Sequence, residues 1–186
     1  MKIREVLSET ALLLGETDLS QAIKNTVETE DSENARKTQL LVTCFNAIQN
    51  EIALNYQTPE TEVEVSGKKI NVSEFFPVPL KIIAVYGKYG QRIDYEYKDR
   101  IIQASEPISK VKYGYLPEDK TIDEDFDCQS KPISKRAFSY GIASEFCLKE
   151  ARYEEAVNWE SRYRQALEVK KDFTKIRLKA GNKWGL

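Results

Sequence analysis

KPISKRAFSYGIASEFCLKEARYEEAVNWESRYRQALEVKKDFTKIRLKAGNKWGL, residues 131–186, is the stretch on which the fold turns. Its spacing predicts two helices in an antiparallel pair, then a basic, aromatic tail. In the second helix Ala156, Trp159, Tyr163, Ala166, Phe173 and Ala180 recur at three- and four-residue steps, with Lys170 and Arg177 in the gaps. Such a stripe faces a partner helix. The first helix carries Ile133, Ala137, Gly141, Ser144, Leu148 and Ala151 on one side. Most of these are small, which lets two backbones approach closely. The return to helix is expected near Pro132, a residue suited to a first turn, and Gly181 is placed to stop the second helix.

Working outward, residues 3–15 form an amphipathic pattern, with Ile3, Leu7, Ala11 and Leu14 on one stripe and Gly15 at its end. Leu19, Ile23 and Val27 continue at four-residue spacing, with Asp18 or Ser20 as a cap. The polar run ETEDSENARK, residues 28–37, suits a loop or an exposed first turn. From about Glu33 to Tyr56 a long helix carries Leu41, Phe45, Ile48 and Ile52 inward, and Thr58-Pro59 ends it. The period then changes from helical to alternating. Val63 and Val65, followed by Ile70 and Val72, flank Ser66-Gly67 as a hairpin would. KIIAVYG, RIDYEYKDRII and KVKYGYLP follow as strands, with Gly87, Gly90 and Pro107 as punctuation. At least five short strands are expected, antiparallel because their connections are too short for crossovers. The fold class is therefore α+β: a helical bundle from the N- and C-terminal helices with an inserted antiparallel β lobe. Residues 1–186 make one domain, helical over 1–58 and 130–181. The β-rich insertion covers 59–117, an acidic loop 118–129 and a basic tail 175–186.

Composition narrows the chemistry. The 28 Lys and Arg against 30 Asp and Glu leave a net charge of −2, which argues against wrapping nucleic acid as the main task. There is no histidine, so the usual general base at neutral pH and the commonest metal ligand are missing. Of three cysteines, Cys44 and Cys147 sit at apolar helix positions, and Cys128 lies in the acidic loop. No pair has zinc-site spacing, and the odd count fits a reducing compartment. The opening MKIREVLSETALLLG is too polar for a signal peptide, and no apolar run spans a membrane. A soluble protein without cofactor is expected.

Three sets of residues could carry function. Glu118, Asp119, Asp123, Glu124, Asp125 and Asp127 could gather a hard cation, but they lack the EF-hand spacing, and charge runs are usually solvated. Lys88-Tyr89-Gly90 and Lys112-Tyr113-Gly114-Tyr115 mix cations and aromatics as some nucleic-acid-binding sheets do. The plainer reading packs the tyrosines on one sheet face and keeps the lysines in water; Asp94, Glu96 and Asp99 would oppose phosphate. The third set is the end of the chain. Lys170, Lys171, Lys175, Arg177, Lys179 and Lys183 outnumber Glu168 and Asp172. The helix dipole accounts for cations up to Lys179 but not for Trp184 and Leu186, which suit a partner's pocket.

IREVLSETALLLG, QLLVTCFNAIQNEIALNYQTPETEVEV, FPVPLKIIAVYGKYG, VKYGYLPEDKTIDEDF and above all SYGIASEFCLKEARYEEAVNWESRYRQAL carry a family resemblance. The chain resembles the head–tail connector (adaptor) proteins of tailed bacteriophages, along nearly its whole length. The most characteristic piece is Ala151 to Leu167, with Glu154, Glu155, Ala156, Trp159, Glu160, Tyr163 and Ala166-Leu167, preceded by Gly141-Ile142-Ala143. The resemblance implies a structural protein of the virion, assembled in the bacterial host cytoplasm, with no catalysis. It implies a homo-oligomeric ring, typically of twelve copies, that binds the portal protein and joins it to a tail component, with DNA only passing through the lumen. Lys175, Arg177, Lys179, Lys183, Trp184 and Leu186 would then bind the portal, and the acidic loop would face the lumen or the tail. Some short-tailed phage adaptors also carry a carboxylate-dependent glycan hydrolase activity, which stands as the alternative beside a nucleic-acid-binding module.

Overall fold

The computed structural model describes residues 2–25, 32–126 and 133–180, with side chains as far as Glu168. Helices come first: α1 (Ile3–Leu13), α2 (Thr17–Asn25) and α3 (Ser32–Asn55). Strands β1 (Glu60–Asn71), β2 (Pro79–Gly87), β3 (Tyr95–Lys98) and β4 (Ile101–Tyr115) follow. Then α4 (Lys135–Lys149) and α5 (Tyr153–Ala180) close the order. This is the expected α+β class, an antiparallel four-stranded sheet inserted between N-terminal helices and the C-terminal helices that pack with them. The described residues divide into two compact units, one from 2–48, 120–126 and 133–180, the other from 49–119.

In the helical unit, α1 buries Ile3, Val6, Leu7 and Ala11, and ends before Gly15, whose φ of +79° reverses the chain without a Cβ penalty. Helix α2 already starts at Thr17, so Ser20 does not cap it. Its buried hydroxyl instead meets that of Ser8 at 2.9 Å and donates to the Ser8 carbonyl, tying α2 to α1. Val27 lies outside the described residues. Helix α3 turns Leu41, Phe45 and Ile48 inward as its spacing predicts. Phe45, Phe126 and Phe138 form an aromatic trio, with ring centroids 4.7–5.9 Å apart. Phe126 thus inserts the acidic loop into the core, and burying such a side chain is worth roughly 1.5–3 kcal/mol.

Helix α4 begins at Lys135, not near Pro132, because the Ser134 hydroxyl accepts the Ala137 N–H as an N-cap. Pro132 lies outside the described residues. The small stripe of α4 is buried at Ile133, Ala137, Gly141 and Ser144, but Leu148 is half exposed and Ala151 stands in the left-handed region at φ +59°. Leu148 is still on the helix but faces out, and Ala151 lies past its end, just as Ile133 lies before its cap. Large residues bury beside the small ones: Phe138, Ile142 and Phe146 have no exposed surface. A Cβ at Gly141 would stand 3.0 Å from Ile48 Cδ1 and 3.1 Å from Tyr163 Cε2. Ser144 donates to the Ala156 carbonyl at 3.0 Å, and Tyr140 stacks on Trp159 with Arg162 over the indole. On α5, Ala156 and Tyr163 bury and Trp159 and Ala166 are partly covered, while the side chains of Lys170, Phe173, Arg177 and Ala180 lie outside the described part.

In the β unit, four strands stand where at least five short ones were expected. Ser66-Gly67 is not a hairpin turn. The chain runs on through Gly67 at φ +141°, and β1 pairs throughout with β4, with register shifts at Gly67. This bulge explains the misleading pattern: an added residue in a period-2 strand swaps the inward parity, from Val63 and Val65 to Ile70. The true hairpin turn is Asp99-Arg100, with φ +52° and +62°, the signature of a type I′ turn. It splits RIDYEYKDRII between β3 and β4. Pro107 does not separate strands either; it lies within β4 where the pairing with β1 skips from Gln103 to Ile108, a place that needs no donor. The sheet order is β1-β4-β2, and β3 pairs the first part of β4, Ile101–Ala104, while β2 pairs the second, Ile108–Tyr115. Its core gathers Ile70, Phe75, Val85, Ile102, Val111 and Tyr113.

Gly141→Val should lower stability by about 1–3 kcal/mol, because added methyls meet Ile48 and Tyr163 in a packed helix junction. Thermal denaturation followed by far-ultraviolet circular dichroism measures it. Ser134→Ala should cost about 1 kcal/mol through the lost cap.

Candidate functional site: an exposed apolar loop on the β unit

Residues 71–82 carry the most conspicuous surface of the β unit. Asn71 accepts the Ser73 N–H and starts a short 3₁₀ turn, Val72–Glu74. Phe75 then turns inward against Tyr113, with ring centroids 5.3 Å apart, and the Tyr113 hydroxyl donates to the Phe76 carbonyl at 3.1 Å. With the backbone held there, the next side chains face water. Phe76 is 76% exposed, Val78 71% and Leu80 45%. Leu116, beside the Pro79–Tyr115 pairing, is also exposed. Three large apolar side chains within five residues form the kind of surface that marks an interaction site. Sequence reading passed over them, placing them only within the β-rich insertion ahead of the KIIAVYG strand. The signal was available: Pro77 and Pro79 cannot donate to a ladder, so this stretch could not be a central strand with both faces covered.

The structure separates the residues nominated from sequence. Lys175, Arg177 and Lys179 lie on the last turns of α5, their side chains beyond the described part. Lys183, Trp184 and Leu186 lie outside the described residues, as do Asp127 and Cys128. The acidic loop is tied down: Asp123 pairs with Arg4, Glu124 accepts the Thr121 N–H, and Asn46 exchanges two hydrogen bonds with the Lys120 backbone. Among the described residues no three His, Cys, Asp or Glu side chains gather as metal ligands would. The carboxyls of Glu33 and Glu155 are both lowered in pKa, by hydrogen bonds from Arg36 and Arg152. A general acid needs the opposite shift.

Two lysines of β4 are likewise engaged. Lys110 pairs with Glu62 at 3.0 Å and Lys112 with Glu60 at 2.7 Å, and these hydrogen bonds raise both ammonium pKa values. Tyr113 lies on the buried side, so lysines and tyrosine do separate by face. A phosphate would have to displace carboxylates to reach those cations. Tyr89 departs from the pattern, standing 88% exposed at the tip of the loop after β2. Cys44 and Cys147 are buried, and burial pushes the Cys44 thiol up to about 12. No protein-family model matches the chain, and no curated protein matches it. No helix among the described residues is long and apolar enough to cross a membrane.

Two outcomes are expected here. Phe76→Ser should leave the melting temperature within a degree or two, whereas Phe75→Ala should cost about 3–5 kcal/mol because it empties a packed core. Parallel melts of both variants check the contrast. Cys44 should resist iodoacetamide at pH 8 in the native protein and react once guanidinium unfolds it, since only the thiolate attacks. Peptide mapping by mass spectrometry reads the label.

Proposed function

We propose that this chain is a structural head–tail connector of a tailed bacteriophage or prophage, a non-catalytic virion protein that forms a ring on the portal and joins it to the tail. The observation that carries the reading is the architecture itself. The β lobe is inserted between N-terminal and C-terminal helices that pack with each other, and the connectors this chain resembles are especially those with a β-rich lobe between helical ends. Two further features support it. Helix α5 runs for 28 residues, about 42 Å at 1.5 Å per residue, and leads into the basic segment nominated for the portal. The β unit separately offers Phe76, Val78 and Leu80 to a second partner. A connector needs distinct surfaces of this kind, for the portal, the tail and its own copies. Neither the hydrolase nor the nucleic-acid alternative gains a specific observation, given the lowered carboxyl pKa values and the paired sheet lysines.

The test is negative-stain electron microscopy of the protein mixed with the portal of the same phage or prophage, beside each alone. An added ring of density on one face of the portal is expected; its absence at micromolar concentrations would sink the reading. Trp184→Ala, and joint replacement of Lys175, Arg177 and Lys179 by Gln, should each weaken portal binding by tenfold or more with the fold intact. Unchanged affinity removes those residues from the interface.

A further inference from the structure

Among the described residues each unit exposes a short apolar surface beside a charge, and the two charges are opposite in sign. In the β unit it is Phe76, Val78 and Leu80, with Lys81 at its edge. The stem of Lys81 lies over Gly114, its Cε 3.3 Å from where a Cβ would stand, and its ammonium makes no ion pair among the described residues. In the helical unit it is the start of α5, where Tyr153 is 64% and Val157 69% exposed. Four residues apart, they share one helix face. Between them in sequence stands Glu154, exposed and in no ion pair among the described residues, whereas its neighbours Glu150 and Glu155 are taken by Arg36 and Arg152.

The backbone of the loop decides what kind of partner fits. Pro77 and Pro79 have no N–H, so the row of donors an added strand would need is interrupted there. Docking must go through side chains, and an exposed helix face with anchors at i and i+4 is suited to that. We propose that Phe76, Val78 and Leu80 of one copy dock on the Tyr153–Val157 face of α5 in the next copy, with Lys81 facing Glu154. Two different surfaces meet, so the contact is heterologous and repeats from copy to copy, as a closed ring requires. It rests on the self-associating connector reading and names where that association occurs. A contact built on so few side chains lies at the low end of interface sizes, and closing a ring multiplies it.

Paired-cysteine cross-linking of the protein alone tests the contact. In a Cys128→Ser background, where the buried Cys44 and Cys147 stay silent, a Val78→Cys chain is mixed with a Val157→Cys chain and treated with a short bismaleimide. The expected result is a heterodimer at least tenfold above the yield of Val78→Cys mixed with Thr43→Cys, a control on the exposed side of α3. Adding Lys81→Glu to the first chain should reduce the yield, and Glu154→Lys in the second should restore it. A yield no greater than the control, a yield indifferent to Lys81→Glu, or a dominant Val78→Cys homodimer overturns the proposal. The portal is absent from this experiment. A failure here with ring density still present on the portal would therefore reject this contact and leave the connector reading standing.

Discussion

The helical unit depends on an empty place. Gly141 lies midway along α4, and Ile48 of α3 and Tyr163 of α5 come within about 3 Å of where its Cβ would stand. Three helices can meet there only because that position carries no side chain. The neighbouring contacts follow from the approach: the Ser144 hydroxyl reaches the Ala156 carbonyl, and Tyr140 and Trp159 stack along the same helix pair. The glycine costs helix propensity of about 1 kcal/mol, which the packing around it must offset. Phe126 then closes the aromatic trio from a loop whose other residues are nearly all acidic or polar.

The β unit is organised around one strand. β4 has a partner on both sides along most of its length, with β1 on one edge and β3 then β2 in succession on the other. The long β1 edge is blunted by its bulge and by Glu60, Glu62 and Lys69, devices that discourage edge-to-edge association. Tight design at the edge contrasts with the apolar loop before β2, where the same unit leaves Phe76, Val78 and Leu80 in water. That contrast is the physical reason to read the loop as a docking surface rather than as incidental exposure.

A role in assembly fits what the titratable groups do. Arg36 and Arg152 hold their carboxylates in the charged form, Lys110 and Lys112 are engaged across strands, and the Cys44 thiol is kept protonated by burial. These groups stabilise or silence one another at the surface and in the core. The exposed apolar side chains Phe76, Val78 and Leu80, with Lys81 beside them, are means of recognition rather than of catalysis.

The helices were legible in the sequence because hydrophobic spacing is a local property: Leu41, Phe45 and Ile48, or Ala156 and Tyr163, declare their face without reference to the rest of the chain. The inserted sheet and its antiparallel sense were legible for a related reason, since short connections leave no other option. What the sequence could not show was where a strand continues. Gly67 looked like a turn and is a bulge, Asp99-Arg100 looked like strand and is the turn, and Pro107 looked like a boundary and lies within β4. Those outcomes rest on pairing with strands distant in the chain, which selects one φ at each residue from the several it allows alone. The same holds for the candidate site. Composition names Phe76, Val78 and Leu80 as apolar, but only the anchoring of Phe75 against Tyr113 decides that they face water, because exposure is a property of the packed fold and not of the residue.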